Sequence, residues 1–361
     1  MSAEESGILE HLKPAPSREG LACLPGTRKD ILLQIHSWIA DNQARNILWL
    51  RGSPGAGKTA VASSLVSKLG MKPGARFFFK RDDAAVNDPV VLWRTVAFNL
   101  ACKDPLFKKI LVDVLRGGQA DPEGVNVQTQ FQHLIQSPAT TRSNDSHMGI
   151  SLVVLDALDE CNQSSEHWRD LLVSIKNWSR LPQAFKLVVT SRDQRDIHKA
   201  IADVSLGVIQ ETGDNATSQT SDDIHRFLET RFDEYRQDFL SLPPSWPGAS
   251  EVQELTKRAG GLFLWATTAF DFVTTGIDHG KRLRSILTGH VGGQNSRLDS
   301  LYKQVLEISF KSLDADELDA FKSLVPLSSP RRLCVKTIFT GCSATHCHCS
   351  LSRALSTIWR P

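Results

Sequence analysis

Eight consecutive residues carry the strongest chemical signal in the chain: Gly52, Ser53, Pro54, Gly55, Ala56, Gly57, Lys58 and Thr59. They satisfy the pattern G-x-x-x-x-G-K-S/T in full. Glycines let the backbone curl until successive N–H groups point inward at an anion. A helix beginning at the end of the loop turns its positive N-terminal end toward the same anion. Lys58 can reach the β- and γ-phosphates of a nucleotide, and Thr59 can place a hydroxyl on magnesium. The bland alternative is a glycine-rich turn with an exposed lysine. The flanks argue against it, because an apolar strand-like run, Ile47 to Leu50, precedes the loop and a helical pattern follows.

A second constellation is "LVVLDALDEC". Leu152 to Leu155 read as a buried strand, and Asp156 emerges at its C-terminal edge, where ligands bind in open α/β sheets. A carboxylate there can hold magnesium through water. Asp159 and Glu160 lie just beyond, and either can orient or deprotonate an attacking water. Taken alone, the same residues also read as a solvated acidic turn. A third run, "KLVVTSRDQ", ends in Thr190, Ser191 and Arg192. Arg192 there can stabilise charge on a γ-phosphate; a surface arginine is the equal alternative.

Positioning these groups requires strands that end together. Residues up to about Lys29 read as irregular, with "KPAPSREG" and "LPG" as turn chemistry. "RKDILLQIHSWIADN" places Ile31, Ile35, Trp38 and Ile39 on one helical face. "KTAVASSLVSKLG" places Val61, Leu65 and Leu69 at helical spacing, with Gly70 as a C-cap. "ARFFFK" reads as a strand, and "DPVVLWRTVAFNLA" and "DPLFKKILVDVL" as helices. "ISLVVLDALDE" and "FKLVVTSR" are near-continuous apolar strands flanking the helix "WRDLLVSIKNW". Such runs suit parallel strands covered on both faces, hence a doubly wound α/β domain. After "ETGDNATSQTSDD" the pattern turns helical: "DIHRFLETRFDEY", "EVQELTKRAGGLFLWATTAFDFV", "LDSLYKQVLEISFKSL" and "DADELDAFKSLV" all read as helices. The expected division is 1–45 linker and helix, 46–218 nucleotide-binding domain, 219–295 helical domain, and 296–361 a partial winged-helix-like region with an irregular tail.

Composition excludes several classes. The 361 residues are 41% hydrophobic and 23% charged, an ordinary globular balance, and the net charge of +2 lacks the basic footprint of a dedicated nucleic-acid binder. No signal peptide or spanning segment is legible, so a cytoplasmic protein is expected. Seven cysteines, an odd number spread along the chain, argue for reduced thiols. Cys342, Cys347 and Cys349 with His346 and His348 crowd one end, but "CSATHCHCS" lacks paired metal-ligand spacing.

In that order and spacing, "GSPGAGKT", "LVVLDALDEC" and "LVVTSR" resemble the NACHT-type P-loop NTPases of the STAND class. The likeness is nearest to the fungal NLR-like branch grouped with nephrocystin-like N-terminal domains. "CLPGTRKDILLQIHSW", "FFFKRDD", "NDPVVLWRTVAFNLA" and "GGLFLWA" add to it, and it covers roughly residues 24–325. The resemblance implies an NTPase domain followed by helical and winged-helix domains that close over ATP or ADP with Mg2+. Nucleotide exchange then drives oligomerisation. It assigns phosphate and magnesium binding to Gly52 through Thr59, the magnesium carboxylate to Asp156, the hydrolytic pair to Asp159 and Glu160, and the sensor arginine to Arg192. It places "LPGTR", with Arg28, near the adenine. Ala157 stands where many relatives carry Gly, and "GGLFL" where the helical domain often has a Gly-x-Pro turn. The chain stops at "STIWRP" without the repeat array usual in the family, so a fragment, a truncated gene model and a short paralogue are all expected readings.

Two functions follow. The first is an ATP-binding signalling switch that hydrolyses slowly and controls its own conformation and oligomerisation. The second is a truncated, non-catalytic interaction module that binds longer NLR-like proteins. A small-molecule kinase or GTPase is a weaker third, since no N-K-x-D string is present to read guanine.

Overall fold

The computed structural model describes residues 3–68, 74–118, 121, 124–142, 149–239, 242–275, 277–289 and 297–310. It divides into two compact units, Met1–Gln210 and Glu211–Pro361. The first is built on a five-stranded sheet of β1 (Ile47–Gly52), β2 (Gly74–Phe78), β3 (Ser151–Asp156), β4 (Phe185–Ser191) and β5 (Ser205–Gln210). All pairings are parallel and the order is β2-β3-β4-β1-β5. The chain leaves β1, crosses to the far edge as β2, and returns through β3 and β4. The C-terminal ends of β1, β3 and β4 therefore open onto one rim, at the point where the strand order reverses.

Strand parity builds two cores. Leu48, Leu50, Val154 and Val188 face α2 (Lys29–Ala40) and α3 (Lys58–Lys68), which contribute Ile35, Trp38, Val61 and Leu65. Ile47, Trp49, Val153, Leu155, Leu187 and Val189 face the opposite layer. That layer holds α1 (Ala3–Glu10), the short α4 (Ala84–Asn87), α5 (Leu92–Lys103), α6 (Pro105–Arg116), and a helical run of α7 (Val127–Gln130), a π-turn segment Phe131–Gln136 and α8 (Ser137–Arg142). It is completed by α9 (Trp168–Asn177) and α10 (Arg195–Ile201). The doubly wound, parallel α/β architecture is thus present, and the continuous apolar runs of β3 and β4 are buried along their whole length.

Three differences from the sequence reading have local causes. Residues before Lys29 are not uniformly irregular: α1 forms, and Leu9 and Leu12 are buried in the core. Burying one such side chain contributes roughly 2 kcal/mol, enough to hold a short helix that has little intrinsic stability. A fifth strand, β5, follows α10; its edge position leaves Leu206 and Ile209 exposed, so it has no continuous apolar run to read. The helical stretch "EVQELTKRAGGLFLWATTAFDFV" is two helices, α12 (Ala249–Ala259) and α13 (Phe263–Thr274), because Gly260 and Gly261 adopt φ of 51° and 80° and end the first.

The second unit packs α11 (Ser218–Asp238), α12, α13, α14 (His279–Thr288) and α15 (Arg297–Phe310) around Ile224, Leu228, Phe232, Trp265, Ala269, Ile286 and Leu301. Leu69, Gly70, the helix read over "DADELDAFKSLV", the Cys/His cluster and most of the winged-helix-like region lie outside the described residues. No helix among the described residues is long and apolar enough to cross a membrane.

Candidate functional site

The glycine-rich loop joins β1 to α3, the strand-to-helix context the motif requires. Gly55 and Gly57 hold φ of 79° and 88°, a left-handed conformation that side-chain-bearing residues avoid. That curl leaves Lys58 at the first turn of α3. Its Nζ donates to Gly52 O at 2.8 Å and Ser53 O at 2.9 Å. Pro54 and Ser53 are exposed at the loop tip, while Ala56 is buried beneath it. Arg28 reaches in from the start of α2 and donates from Nη2 to Ala56 O at 2.6 Å. Its guanidinium, buried with the rest of the residue, clasps the loop from behind. The resemblance placed Arg28 near the adenine; its contact here is with the loop backbone.

Asp156 ends β3 and is 2% exposed. Its Oδ1 accepts a bond of 2.5 Å from Thr190 Oγ1, and the Thr59 hydroxyl lies near enough to favour the charged carboxylate. Thr190 Oγ1 in turn accepts the Ala157 N–H at 2.9 Å. Burial pushes the Asp156 carboxyl up to about 6; the Thr190 and Thr59 hydroxyls and the Lys58 charge act against that rise. Ala157 itself sits at φ 57°, ψ 44°. A residue with a Cβ costs roughly 1–2 kcal/mol there.

The next two acids differ in their surroundings. Asp159 is buried and both its oxygens are engaged: Oδ1 accepts the Arg192 backbone N–H at 3.0 Å, and Oδ2 lies 3.1 Å from Arg192 Nε. Glu160 is half-buried, and its Oε2 accepts the Arg81 N–H at 3.3 Å. Arg81 also donates from Nη2 to Asp159 O at 3.3 Å, so the loop after β2 braces the acidic turn. Ser191 has a packing role, with its Oγ accepting from Trp49 Nε1 at 2.8 Å.

These groups share one space. Burial lowers the Lys58 amine below the usual lysine range; Asp159, Asp156 and Glu160 pull it back up, and the Arg192 charge lowers it further. Every charged residue singled out in the loop, the acidic strand end and the third strand therefore acts on the same amine. Sequence reasoning missed two positioning residues, Thr190 as partner of Asp156 and Arg81 as brace of Glu160. Register carries the first: Leu155 pairs with Val189, so the next residues, Asp156 and Thr190, stand side by side. Magnesium takes hard oxygen ligands and keeps several waters. Thr59 and Asp156 offer such oxygens, and among the described residues no cluster of three or more His, Cys, Asp or Glu competes as a metal cage. The donor set fits an ion that is completed by phosphate and water.

Two solved structures align over most of the chain. They are the Walker-type ATPase paby2304 of Pyrococcus abyssi (13% identity, TM-score 0.48, covering 97% of this chain and 92% of that one) and Cdc6p from Pyrobaculum aerophilum (14%, 0.39, 98% and 88%). In sequence, the family described as Nephrocystin 3, N-terminal, matches residues 26–192. The chain is 23% identical over 331 residues to the vegetative incompatibility protein HET-E-1 of Podospora anserina, a match that covers 87% of this chain and 23% of that protein. The chain thus spans about a quarter of that relative's length. The family match runs through the phosphate loop, the acidic strand end and Arg192, the same residues the fold brings to one rim. In sequence the chain resembles the nephrocystin-type N-terminal NTPases over residues 26–192, and its parallel sheet with a glycine-rich loop between β1 and α3 is a P-loop NTPase fold.

Proposed function

We propose that the protein is a slow ATPase switch that binds Mg-ATP or ADP and changes conformation and assembly with the nucleotide it holds. The observation that carries this reading is the convergence of Asp156, Asp159, Glu160 and Arg192 on the Lys58 amine. Lys58 exchanges its bonds to Gly52 O and Ser53 O for phosphate oxygens. Thr59 and Asp156 would hold Mg2+, which neutralises charge on the phosphates. Asp159, with both oxygens committed to Arg192, is a positioning residue: it aims the guanidinium toward the γ-phosphate. Glu160, half-buried and held by one long bond, is the carboxylate left to take a proton from water. Slow turnover is consistent with that bond, because Glu160 must first leave the Arg81 amide.

The test is nucleotide affinity with magnesium, followed by turnover. Lys58→Ala is expected to weaken ATP binding about 10- to 100-fold, the worth of charged hydrogen bonds. Glu160→Gln is expected to bind ATP as the wild type does and to turn over roughly 100-fold or more slowly. Equal affinity in the lysine variant defeats the reading, and unchanged turnover removes Glu160 from its role. Competition between ATP and GTP settles base preference.

The partners we infer are a second copy of this chain or a longer NLR-like protein, not nucleic acid or membrane. The near-balanced charge supports the exclusion of nucleic acid. The odd number of cysteines, seven spread along the chain, supports a cytoplasmic location. The second reading is a nucleotide-stabilised interaction module without turnover. Partner capture that persists in a Lys58→Ala, Asp156→Ala double variant would support it.

A further inference from the structure

Between α1 and α2 the chain makes a crossing that the nucleotide reading does not use. Leu9 and Leu12 seat α1 in one core, and Ile35 and Trp38 seat α2 in the other. The intervening segment must therefore pass from one face of the sheet to the other, and it does so at the C-terminal end of edge strand β2. Ala15 N–H donates to Thr95 Oγ1 at 2.8 Å. Ser17 Oγ then accepts the Phe78 N–H at 2.6 Å and donates to Phe78 O at 3.4 Å, so a side chain completes the open edge of β2. Phe78 is the register partner of Asp156, and the next residue, Phe79, donates its N–H to Asp156 O at 3.1 Å. Farther on, Cys23 N–H donates to Ser64 Oγ at 2.9 Å on α3.

The middle of this crossing lies on Thr59. A Cβ placed on Gly20 would sit 3.0 Å from Thr59 Cγ2 and 3.7 Å from Ser63 Oγ. The threonine methyl thus rests against a residue with no side chain, while its hydroxyl lies near enough to Asp156 to favour the charged carboxylate. The two substituents on one Cβ turn together. Whatever seats the methyl therefore aims the hydroxyl, since threonine has three staggered positions and few intermediates. Only glycine leaves the methyl its full room.

We propose that the Ser17–Cys23 segment is a positioning strap for the metal-binding pair, and that Gly20 sets the rotamer of Thr59 so that its hydroxyl meets Asp156. The proposal rests on the reading of Thr59 and Asp156 as the magnesium pair. Gly20 touches neither nucleotide nor ion; it acts through the threonine methyl.

The experiment measures ATP affinity in magnesium and in EDTA, and takes their ratio, for the wild type, Gly20→Val, Thr59→Ser and the double variant. The wild type is expected to bind more tightly with magnesium. Gly20→Val is expected to lose about three- to tenfold of that tightening, the span of an off-rotamer displacement, with its EDTA affinity unchanged. Serine keeps the hydroxyl and lacks the methyl, so Gly20→Val in the Thr59→Ser background is expected to cost nothing beyond Thr59→Ser alone. A merely structural strap would weaken both affinities and would not be rescued by serine. Undiminished magnesium tightening in Gly20→Val, or a loss that serine does not restore, overturns the proposal and leaves the switch reading standing. A wild type that binds ATP equally with and without magnesium overturns both.

Discussion

Asp156 is a carboxyl whose surroundings resist its charge. Its folded value of about 6 lies above the 3.8 of the free group. Below about 3.8 it is neutral in both folded and unfolded states, and no penalty arises. As pH rises through the window from 3.8 to about 6, the unfolded chain ionises first and stability falls; above the window the cost is complete. That cost is on the order of 2–3 kcal/mol for a shift of this size. Asp156→Asn keeps the shape and the Thr190 bond without the charge. Without nucleotide, the variant is expected to resist denaturant better than the wild type at about pH 7.5 and equally at about pH 4. A variant weaker than wild type at the higher pH would mean that Thr59, Thr190 and Lys58 stabilise the anion more than burial opposes it. The loop residues and Asp156 were legible in sequence because their chemistry is local: types and spacing within ten residues define them. The Thr190 partnership was not, because it depends on which strand lies beside β3.

At the scale of elements, the phosphate loop is held from outside the motif. Arg28, buried at the start of α2 with φ of 55°, ties Ala56 O to a helix on the same face as α3. Removing that side chain takes a charged donor from a buried carbonyl. Arg28→Ala is therefore expected to lower unfolding free energy by about 1–3 kcal/mol and to weaken nucleotide binding in parallel. Denaturant titration and a binding isotherm on one preparation would check both; unchanged values would make the clasp dispensable. The strands best read in sequence, β3 and β4, are those buried on both faces. Less legible elements lie at margins. α1 offers few apolar positions, β5 is half-exposed and contains Gly207, and the α7–α8 run passes through a π-turn and includes Pro138, which breaks the regular helical period. In each case tertiary burial, not local pattern, decides the structure.

At the scale of the molecule, every group proposed to touch phosphate belongs to the first unit, whereas a switch must also be felt in the second. ATP and ADP are therefore expected to give different hydrogen-exchange protection in α11–α15, by about 5- to 150-fold in local opening if coupling has its usual size. Identical patterns with both nucleotides would leave an NTPase without a switch. The passage from α1 to α2 carries one more implication. Leu21, 91% exposed, stands between the Ser17 and Cys23 attachment points. A protease nick beside it would spare both hydrophobic interiors and every residue of the glycine-rich turn, yet it would slacken the span that keeps Thr59 aimed. A sample with an intact melting curve can therefore still have lost its hold on the metal.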